Sequence, residues 1–318
     1  METNHYQNCK LCPRLCSVNR FNGERGFCGE GAALRIAAAC LHKGEEPPLC
    51  GDEGSGAIFV SGCGLRCAFC QNWQISHNGM GAEVSTETFA GICLELQKKK
   101  AANINIVTAS HVIPSIIQGI ALAKKSGLCI PVLWNSGGYE TEAAVDMLRD
   151  TVDVYLPDLK TLDSGVSNIF FKAPDYPEMA KAAIKKMAAQ KPLRFAKNGS
   201  LTSGVVIRHL ILPGFEEETN AVLEWFAANV NGRALFSLMT QYTPINGLQP
   251  ASSPRSFLSP GEYKTALRRM EALGIEDGYY QELESSSNWL PDFSRPEPFP
   301  GELAKCVWHW KYGFSCSG

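Results

Sequence analysis

The chain has 318 residues, of which 45% are hydrophobic and 19% are charged. This is the composition of an ordinary globular protein, with room for one large domain and an appendage. The formal net charge is −2, which excludes the global basic field that recruits nucleic acid or an anionic membrane. The first ten residues are polar and no apolar run approaches the ~20 residues of a membrane span. We therefore expect a cytoplasmic protein with neither a membrane nor a nucleic-acid partner.

Residues 1–50 are rich in cysteine and are predicted to form an irregular metal-binding segment. The sequence has 13 cysteines, and clustered cysteines in a reducing compartment indicate metal ligation rather than disulfides. Four of them have the spacing Cys9-x2-Cys12-x3-Cys16-x11-Cys28. Four thiolates at short spacing can close a site around zinc or an auxiliary iron–sulfur cluster. Unliganded thiols in a flexible arm are the alternative.

Residues 51–275 repeat a strand–helix pattern. Continuous apolar runs are typical of parallel strands buried on both faces, and the stretches between them have helical spacing. The predicted strands are 57–63, 104–110, 130–136, 152–160, 205–214 and 234–244. The predicted helices are 86–101, 113–126, 140–149, 176–190, 216–230 and 260–273. Six such units predict an α/β fold, and the pattern leaves open whether the sheet is doubly wound or a partial barrel. Residues 276–318 are expected to be an irregular tail that packs on this domain.

The first of these strands ends in the segment SGCGLRCAFCQN. Its cysteines have the spacing Cys63-x3-Cys67-x2-Cys70. Three thiolates on one loop can bind three irons of a [4Fe-4S] cluster and leave the fourth iron open to a substrate. A structural zinc site usually has four ligands. Zinc and three unrelated thiols are therefore the less favoured alternatives. Gly62 and Gly64 permit a sharp turn around the first cysteine, and Phe69 is expected to shield the cluster from water.

This cysteine spacing at the end of a first βα strand resembles the motif of the radical S-adenosylmethionine (SAM) superfamily. The longer string GSGAIFVSGCGLRCAFCQNWQIS resembles a subgroup related to pyruvate formate-lyase activating enzymes. The segments CKLCPRLCSVNR, NINIVTASH, WNSGGYE, VDVYLPDLK, RHLILPG and LMTQYTP strengthen the likeness, which extends over most of residues 9–281. The resemblance implies a partial (β/α)6 barrel of parallel strands, a [4Fe-4S] cluster on Cys63, Cys67 and Cys70, and SAM as its ligand.

The SAM-binding residues are expected at the carboxyl ends of the strands, where parallel α/β folds place their sites. The resemblance implies contact with SAM for residues after four successive strands. These candidates are Ser110, His111, Asn135, Ser136, Asp158, Lys160 and Arg208. Some have structural alternatives: His111 suits a purely structural role equally well, Asp158 and Lys160 can form a mutual salt bridge, and Arg208 can form an internal ion pair.

The resulting functional hypothesis is reductive cleavage of SAM to a 5′-deoxyadenosyl radical that abstracts hydrogen from a substrate. The substrate is either a glycine of a protein partner, as for the activating enzymes, or a peptide or small molecule. An external electron donor such as flavodoxin or ferredoxin is implied. The rival hypothesis is a non-catalytic iron–sulfur protein for electron transfer or sensing. It predicts a fully ligated cluster and no SAM pocket.

Overall fold

A computed structural model describes residues 4–245, 253–283, 287 and 289–314 of the chain. The strands in these residues are β1 (Leu34–His42), β2 (Ser55–Val60), β3 (Ala82–Val84), β4 (Ile104–Val107), β5 (Val132–Ser136), β6 (Val154–Pro157), β7 (Arg194–Phe195), β8 (Leu201–Leu210), β9 (Leu235–Met239), β10 (Gly278–Tyr280) and β11 (Ala304–His309). The helices are α1 (Asn4–Gln7), α2 (Pro47–Cys50), α3 (Trp73–Ser76), α4 (Thr86–Lys98), α5 (Ile113–Lys125), α6 (Glu142–Leu148), α7 (Ser164–Phe171), α8 (Tyr176–Gln190), α9 (Glu216–Asn229) and α10 (Pro260–Ala272).

The strands form a mostly parallel sheet with the order β10-β9-β8-β6-β5-β4-β2-β1-β11. The six predicted strands correspond to β2, β4, β5, β6, β8 and β9, which pair in parallel along this order. The ends of the sheet are not joined, which fits the partial barrel that the resemblance implied. The six predicted helices correspond to α4, α5, α6, α8, α9 and α10, with boundaries within three residues.

The sheet carries apolar side chains on both faces, as its continuous apolar runs predict. On the outer face, residues such as Ile104 and Ile106 pack with the helices in one large core that includes Phe89 and Phe226. On the inner face, Leu133, Val154 and Leu156 belong to a smaller cluster. The filled interior forms a floor below the carboxyl ends of the strands, and polar side chains can face the space above it.

Two strands that the sequence did not predict lie beyond β2. β1 pairs antiparallel with β2, and β11 pairs antiparallel with β1. β1 comes from the segment expected to be irregular, and β11 comes from the expected tail, so both outer segments contribute to the sheet. The domain boundaries at residues 50 and 275 remain predictions. In the described part of the chain, none of the helices has the length and apolarity of a membrane span.

Candidate functional site around the cysteine loop

A cavity of about 230 Å³ lies at the carboxyl ends of the parallel strands. The loop after β2 contributes the three cysteines of the predicted cluster motif to its wall. The ends of β4, β5, β6 and β8 contribute Thr108, Asn135, Asp158 and Arg208 respectively. Because parallel strands all end at the same edge of a sheet, residues far apart in sequence converge there.

The three thiols have surroundings that suit thiolate ligands. The backbone N–H of Leu65 donates to Cys63 Sγ at 3.3 Å, and the hydroxyl of Ser76 donates to Cys70 Sγ at 3.2 Å. Burial, together with the neighbouring Cys63, raises the pKa of Cys70 to about 11. Metal binding overcomes such a barrier because a coordinated thiol loses its proton. In the described residues, no fourth cysteine lines this cavity.

The three thiols are donors of the kind that a [4Fe-4S] cluster takes. Each cysteine ligand of a cubane cluster binds its own iron, so the three sulfurs need only share one cavity wall and need not meet at one point. The loop is shaped by backbone in the left-handed region, with φ of 80° at Gly62 and 50° at Arg66. Phe69 is buried and contacts Phe170 edge to face, with ring centroids 5.6 Å apart, which supports the expected exclusion of water.

Asp158 and Lys160 stand together on the cavity wall after β6. Lys160 Nζ donates to Asp158 Oδ2 at 2.5 Å, so the mutual salt bridge that the sequence left open as an alternative is formed. Burial alone lowers the pKa of Lys160, but Asp158 and the adjacent Cys67 raise it more, and the net shift is upward. The lysine therefore stays charged at neutral pH and presents a fixed cation beside the cysteine loop.

Arg208 is buried and paired with two carboxylates. Its Nε donates to Glu46 Oε1 at 2.9 Å, its Nη2 donates to Glu46 Oε2 at 2.5 Å, and Nη2 also contacts Glu45. The structure thus forms the internal ion pair that the sequence left open as an alternative to a SAM carboxylate. Arg208, Glu45 and Glu46 all line the cavity as well. Contact of Arg208 with SAM therefore stays a prediction.

Sequence reasoning missed Glu45 and Glu46. They lie between β1 and α2 in the segment assigned to metal binding, about 160 residues from Arg208. The imidazole of His42 lies 3.3 Å from Glu45 Oε1 and extends this charged cluster. In the sequence they appear only as two adjacent acidic residues before Pro47. Their position in the chain does not indicate a contact with β8.

Of the candidates after β4 and β5, two line the cavity and two lie apart from it, and the SAM contacts of all four remain predictions. Asn135 and Ser136 line the cavity as expected, but Ser110 and His111 do not. The strand ends at Val107, and Thr108 has a φ of 61°, so the chain turns away three residues earlier than predicted. After β4, Thr108 lines the cavity instead. Ser110 instead donates to Glu140 Oε1 at 2.5 Å.

His111 and the N-terminal cysteines lie at a second, much smaller cavity. The N-terminal thiol group (Cys9, Cys12, Cys16 and Cys28) is gathered around it, although 19 residues separate its first and last members. Across the described ranges, no three His, Cys, Asp or Glu side chains are arranged to hold a metal ion. The structure therefore brings these four thiols together at one place, and their role as ligands remains a prediction.

Comparisons with known proteins place this geometry in context. No family model matches the chain. The uncharacterized protein MJ0674 of Methanocaldococcus jannaschii is 29% identical over 256 residues, which cover 76% of this chain and 68% of the relative. Its printed name gives no activity.

Solved structures of SuiB from Streptococcus suis share the fold. The one bound to S-adenosylmethionine matches with a TM-score of 0.51 and 11% identity, over 71% of this chain and 48% of SuiB. Another SuiB structure matches with a TM-score of 0.50 and 11% identity, over 71% of this chain and 47% of SuiB. The chain spans about half the length of SuiB. It therefore shares the fold of SuiB.

Proposed function

We propose that this protein is a radical SAM enzyme that binds a [4Fe-4S] cluster through Cys63, Cys67 and Cys70. One observation carries the proposal: three thiols of a single loop share a cavity wall with charged and polar side chains from the ends of four parallel strands. A fully ligated electron-transfer cluster needs no such cavity. An open iron facing one is what a SAM-cleaving centre requires.

The cluster, when bound, supplies the electron that cleaves SAM to methionine and a 5′-deoxyadenosyl radical. The protein holds the reactants and keeps water away. Leu65 and Phe69 are buried and line the cavity next to the cysteines, so they form an apolar wall where a reactive radical is protected. Restricting access in this way directs the radical to the bound substrate.

The charged residues around the cavity suit the polar ends of SAM. Lys160 presents an ammonium that can meet a carboxylate, and Asn135 presents an amide that can accept from an amine. Asp158 orients Lys160 through their salt bridge. Arg208 is held by Glu45 and Glu46, so SAM contacts it only where its remaining donors face the cavity. We therefore assign the carboxylate contact to Lys160 first and to Arg208 second.

The partners of the reaction follow from this chemistry. An external one-electron donor such as flavodoxin or ferredoxin reduces the cluster. The substrate is a protein glycyl residue, a peptide or a small molecule with a hydrogen that the radical can abstract. We expect the reaction to take place in the cytoplasm, where thiols stay reduced.

The test is anaerobic reconstitution of the cluster, reduction, addition of SAM and detection of 5′-deoxyadenosine by mass spectrometry. Product is expected from the unchanged protein and from Cys129→Ser, whose thiol is exposed and outside the cavity. No product is expected from Cys67→Ala. A reduced cluster that gives no product, and whose electron paramagnetic resonance spectrum SAM does not change, would overturn the proposal and favour an electron-transfer or sensing role.

A further inference from the structure

The N-terminal thiol group has surroundings that point to negative charge on sulfur. The backbone N–H of Phe27 donates to Cys16 Sγ at 3.4 Å, and Arg20 Nη1 donates to Cys9 Sγ at 3.7 Å. Arg20 is 2% exposed. Its guanidinium donates to the carbonyls of Gly31 and His111 and lies 4.7 Å from the ring centroid of Tyr6, so its partners in the described residues other than Cys9 are neutral groups. A buried guanidinium needs an anionic partner, and metal-bound thiolates at this cavity would supply one.

His111 adds a second kind of donor to the same cavity. Its Nε2 lies 2.8 Å from the carbonyl oxygen of Ser61, and a carbonyl only accepts, so Nε2 carries the proton. Nδ1 then has a free lone pair. This nitrogen is buried, has no hydrogen-bond partner in the described structure, and belongs to a residue that lines the cavity. Imidazole and thiolate together make a donor set for zinc or an iron–sulfur cluster.

The segment that carries these thiols also packs directly on the loop of the first site. Arg14 Nε donates to the carbonyl of Gly64 at 2.8 Å, and Arg66 Nη1 donates to the carbonyl of Phe27 at 3.4 Å. A Cβ placed on Gly64 would lie 3.4 Å from Cys12 Sγ. The backbone between Cys63 and Cys67 therefore rests against the N-terminal thiol group.

A second set of contacts joins the two sites through His111. Arg20 Nη1 donates to the carbonyl of His111 at 2.5 Å as well as to Cys9 Sγ. The ring of His111 then holds the carbonyl of Ser61, two residues before Cys63. A Cβ on Gly62 would meet Glu30 at 2.3 Å, so only glycine permits this approach. Displacement of the N-terminal segment would release the start of the cysteine loop.

We infer that Cys9, Cys12, Cys16 and Cys28 bind a second, structural metal centre, zinc or an iron–sulfur cluster, that holds the cysteine loop of residues 63–70 in place. The thiols line the cavity without standing in a metal-ligand arrangement, so they close inward on binding. The metal centre itself is independent of the proposed function. Its effect on the first site rests on that function.

The first experiment isolates the second centre in the full chain. Replacing Cys63, Cys67 and Cys70 by alanine together removes the first site, and the purified protein is analysed for zinc, iron and sulfide. We expect about one zinc or about four irons per chain to remain. Zinc alone identifies a mononuclear centre, and iron with sulfide identifies a cluster; either supports the inference. Adding Cys12→Ser to the triple variant should lower the metal at least about tenfold, whereas adding Cys129→Ser should not.

A triple variant that keeps its circular dichroism spectrum but holds no metal above background would overturn the second centre. So would metal that is unchanged by both Cys12→Ser and Cys28→Ser. Neither result depends on whether SAM is cleaved, so failure of this inference and failure of the proposed function can be told apart.

The second experiment tests the hold on the loop in a chain with Cys63, Cys67 and Cys70 intact. Arg14→Gln leaves every cysteine in place but removes the guanidinium group through which the N-terminal segment binds the carbonyl of Gly64. We expect a loss of about tenfold in iron affinity at the first site, the scale of a lost outer contact to a metal ligand. The exposed Arg233→Gln is the control. An unchanged iron affinity in Arg14→Gln and Cys12→Ser would overturn the coupling.

Discussion

The cysteine loop and the N-terminal thiol group present the same side chain in two different settings. Three thiols of the loop line a cavity of about 230 Å³ together with Asn135, Asp158 and Lys160. Four thiols of the N-terminal group surround a space of about 10 Å³ with Arg20 and His111 beside them. The number of thiols and the room in front of them decide whether a metal centre can also take a ligand. Cysteine content alone does not distinguish a reactive site from a structural one.

The largest expected effect separates the two sites directly. Cys63→Ala removes a predicted cluster ligand and should lower 5′-deoxyadenosine formation more than about 100-fold, beyond the loss caused by outer contacts. The metal of the N-terminal thiol group should stay bound, and metal analysis of the same sample checks this. Simultaneous loss of both metals in a folded protein would show that the two sites are not separate.

Arg20 is the buried cation beside the N-terminal thiol group. It should dominate the contribution of that group to the stability of the folded protein. Arg20→Met leaves the carbonyls of Gly31 and His111 without their donor, and we expect the free energy of unfolding to fall by about 2–4 kcal/mol. Urea denaturation measures this. Arg233→Met at an exposed position should change stability by less than about 0.5 kcal/mol. Equal effects would mean that the hydrogen bonds of Arg20 to these two carbonyls do not stabilise the folded protein.

At the cysteine loop the expected effect is on ligand binding. Lys160→Met removes the cation next to Cys67 and should weaken SAM binding about 10- to 100-fold, the loss of one charge-assisted contact. Lys172→Met, with an exposed side chain, is the control. Equilibrium dialysis with reconstituted protein gives the dissociation constant. Unchanged affinity would remove Lys160 from the SAM site and leave it only its salt bridge with Asp158.

A smaller effect distinguishes the residues that line the large cavity from those that do not. Asn135→Ala should weaken SAM binding about 3- to 10-fold through one lost neutral hydrogen bond. Ser110→Ala should leave it unchanged, because Ser110 bonds Glu140 outside the cavity. The same dialysis assay compares the two variants. A larger loss in Ser110→Ala than in Asn135→Ala would support the predicted contact of Ser110 with SAM.

The smallest expected effect is a pH dependence of stability that arises from a histidine outside both thiol groups. His209 is buried between the carbonyl of Leu159 and the hydroxyl of Thr219, and burial lowers its pKa from 6.5 to about 4. The unfolded chain therefore binds the proton more readily, and stability falls as pH drops below about 6.5. Between pH 7 and pH 6 the expected loss is about 0.7 kcal/mol. His209→Leu should reduce the slope by this amount in urea denaturation, while His111, whose pKa burial lowers to about 3, keeps its own contribution. A slope unchanged by the substitution would assign it to other groups.

The elements of the fold were largely predictable from local sequence. α8 begins at Tyr176 and ends at Gln190 as its apolar spacing indicated, because the pattern that forms a helix lies within the helix. The same holds for the parallel strands, whose apolar runs have to be buried on both faces. The position of Cys63, Cys67 and Cys70 after β2 followed from the motif, and the structure gathers them at one cavity.

The contacts that close the site were not predictable in the same way. The sequence indicated that a charged Arg208 in an apolar strand needs an anion. Glu45 and Glu46, in the loop between β1 and α2, are about 160 residues away and meet it only in the folded chain. The turn at Thr108 was hidden for another reason. A β-branched residue with φ of 61° is rare, so the apolar pattern extended the strand beyond its true end.

The pairing of β11 with β1 has a consequence for the order of events during synthesis. The partner of His42 in this pairing is Ala304, about 260 residues later in the chain. At the usual rate of about 5–20 residues per second, residues 38–42 of β1 are made roughly 13 to 50 seconds before their partners in β11. During that time the unpaired backbone groups of β1 form an open edge that can join another strand. Pairing with β2 and β3 covers part of β1 during this time, and residues 38–42 keep an open edge until residues 304–309 have been synthesised.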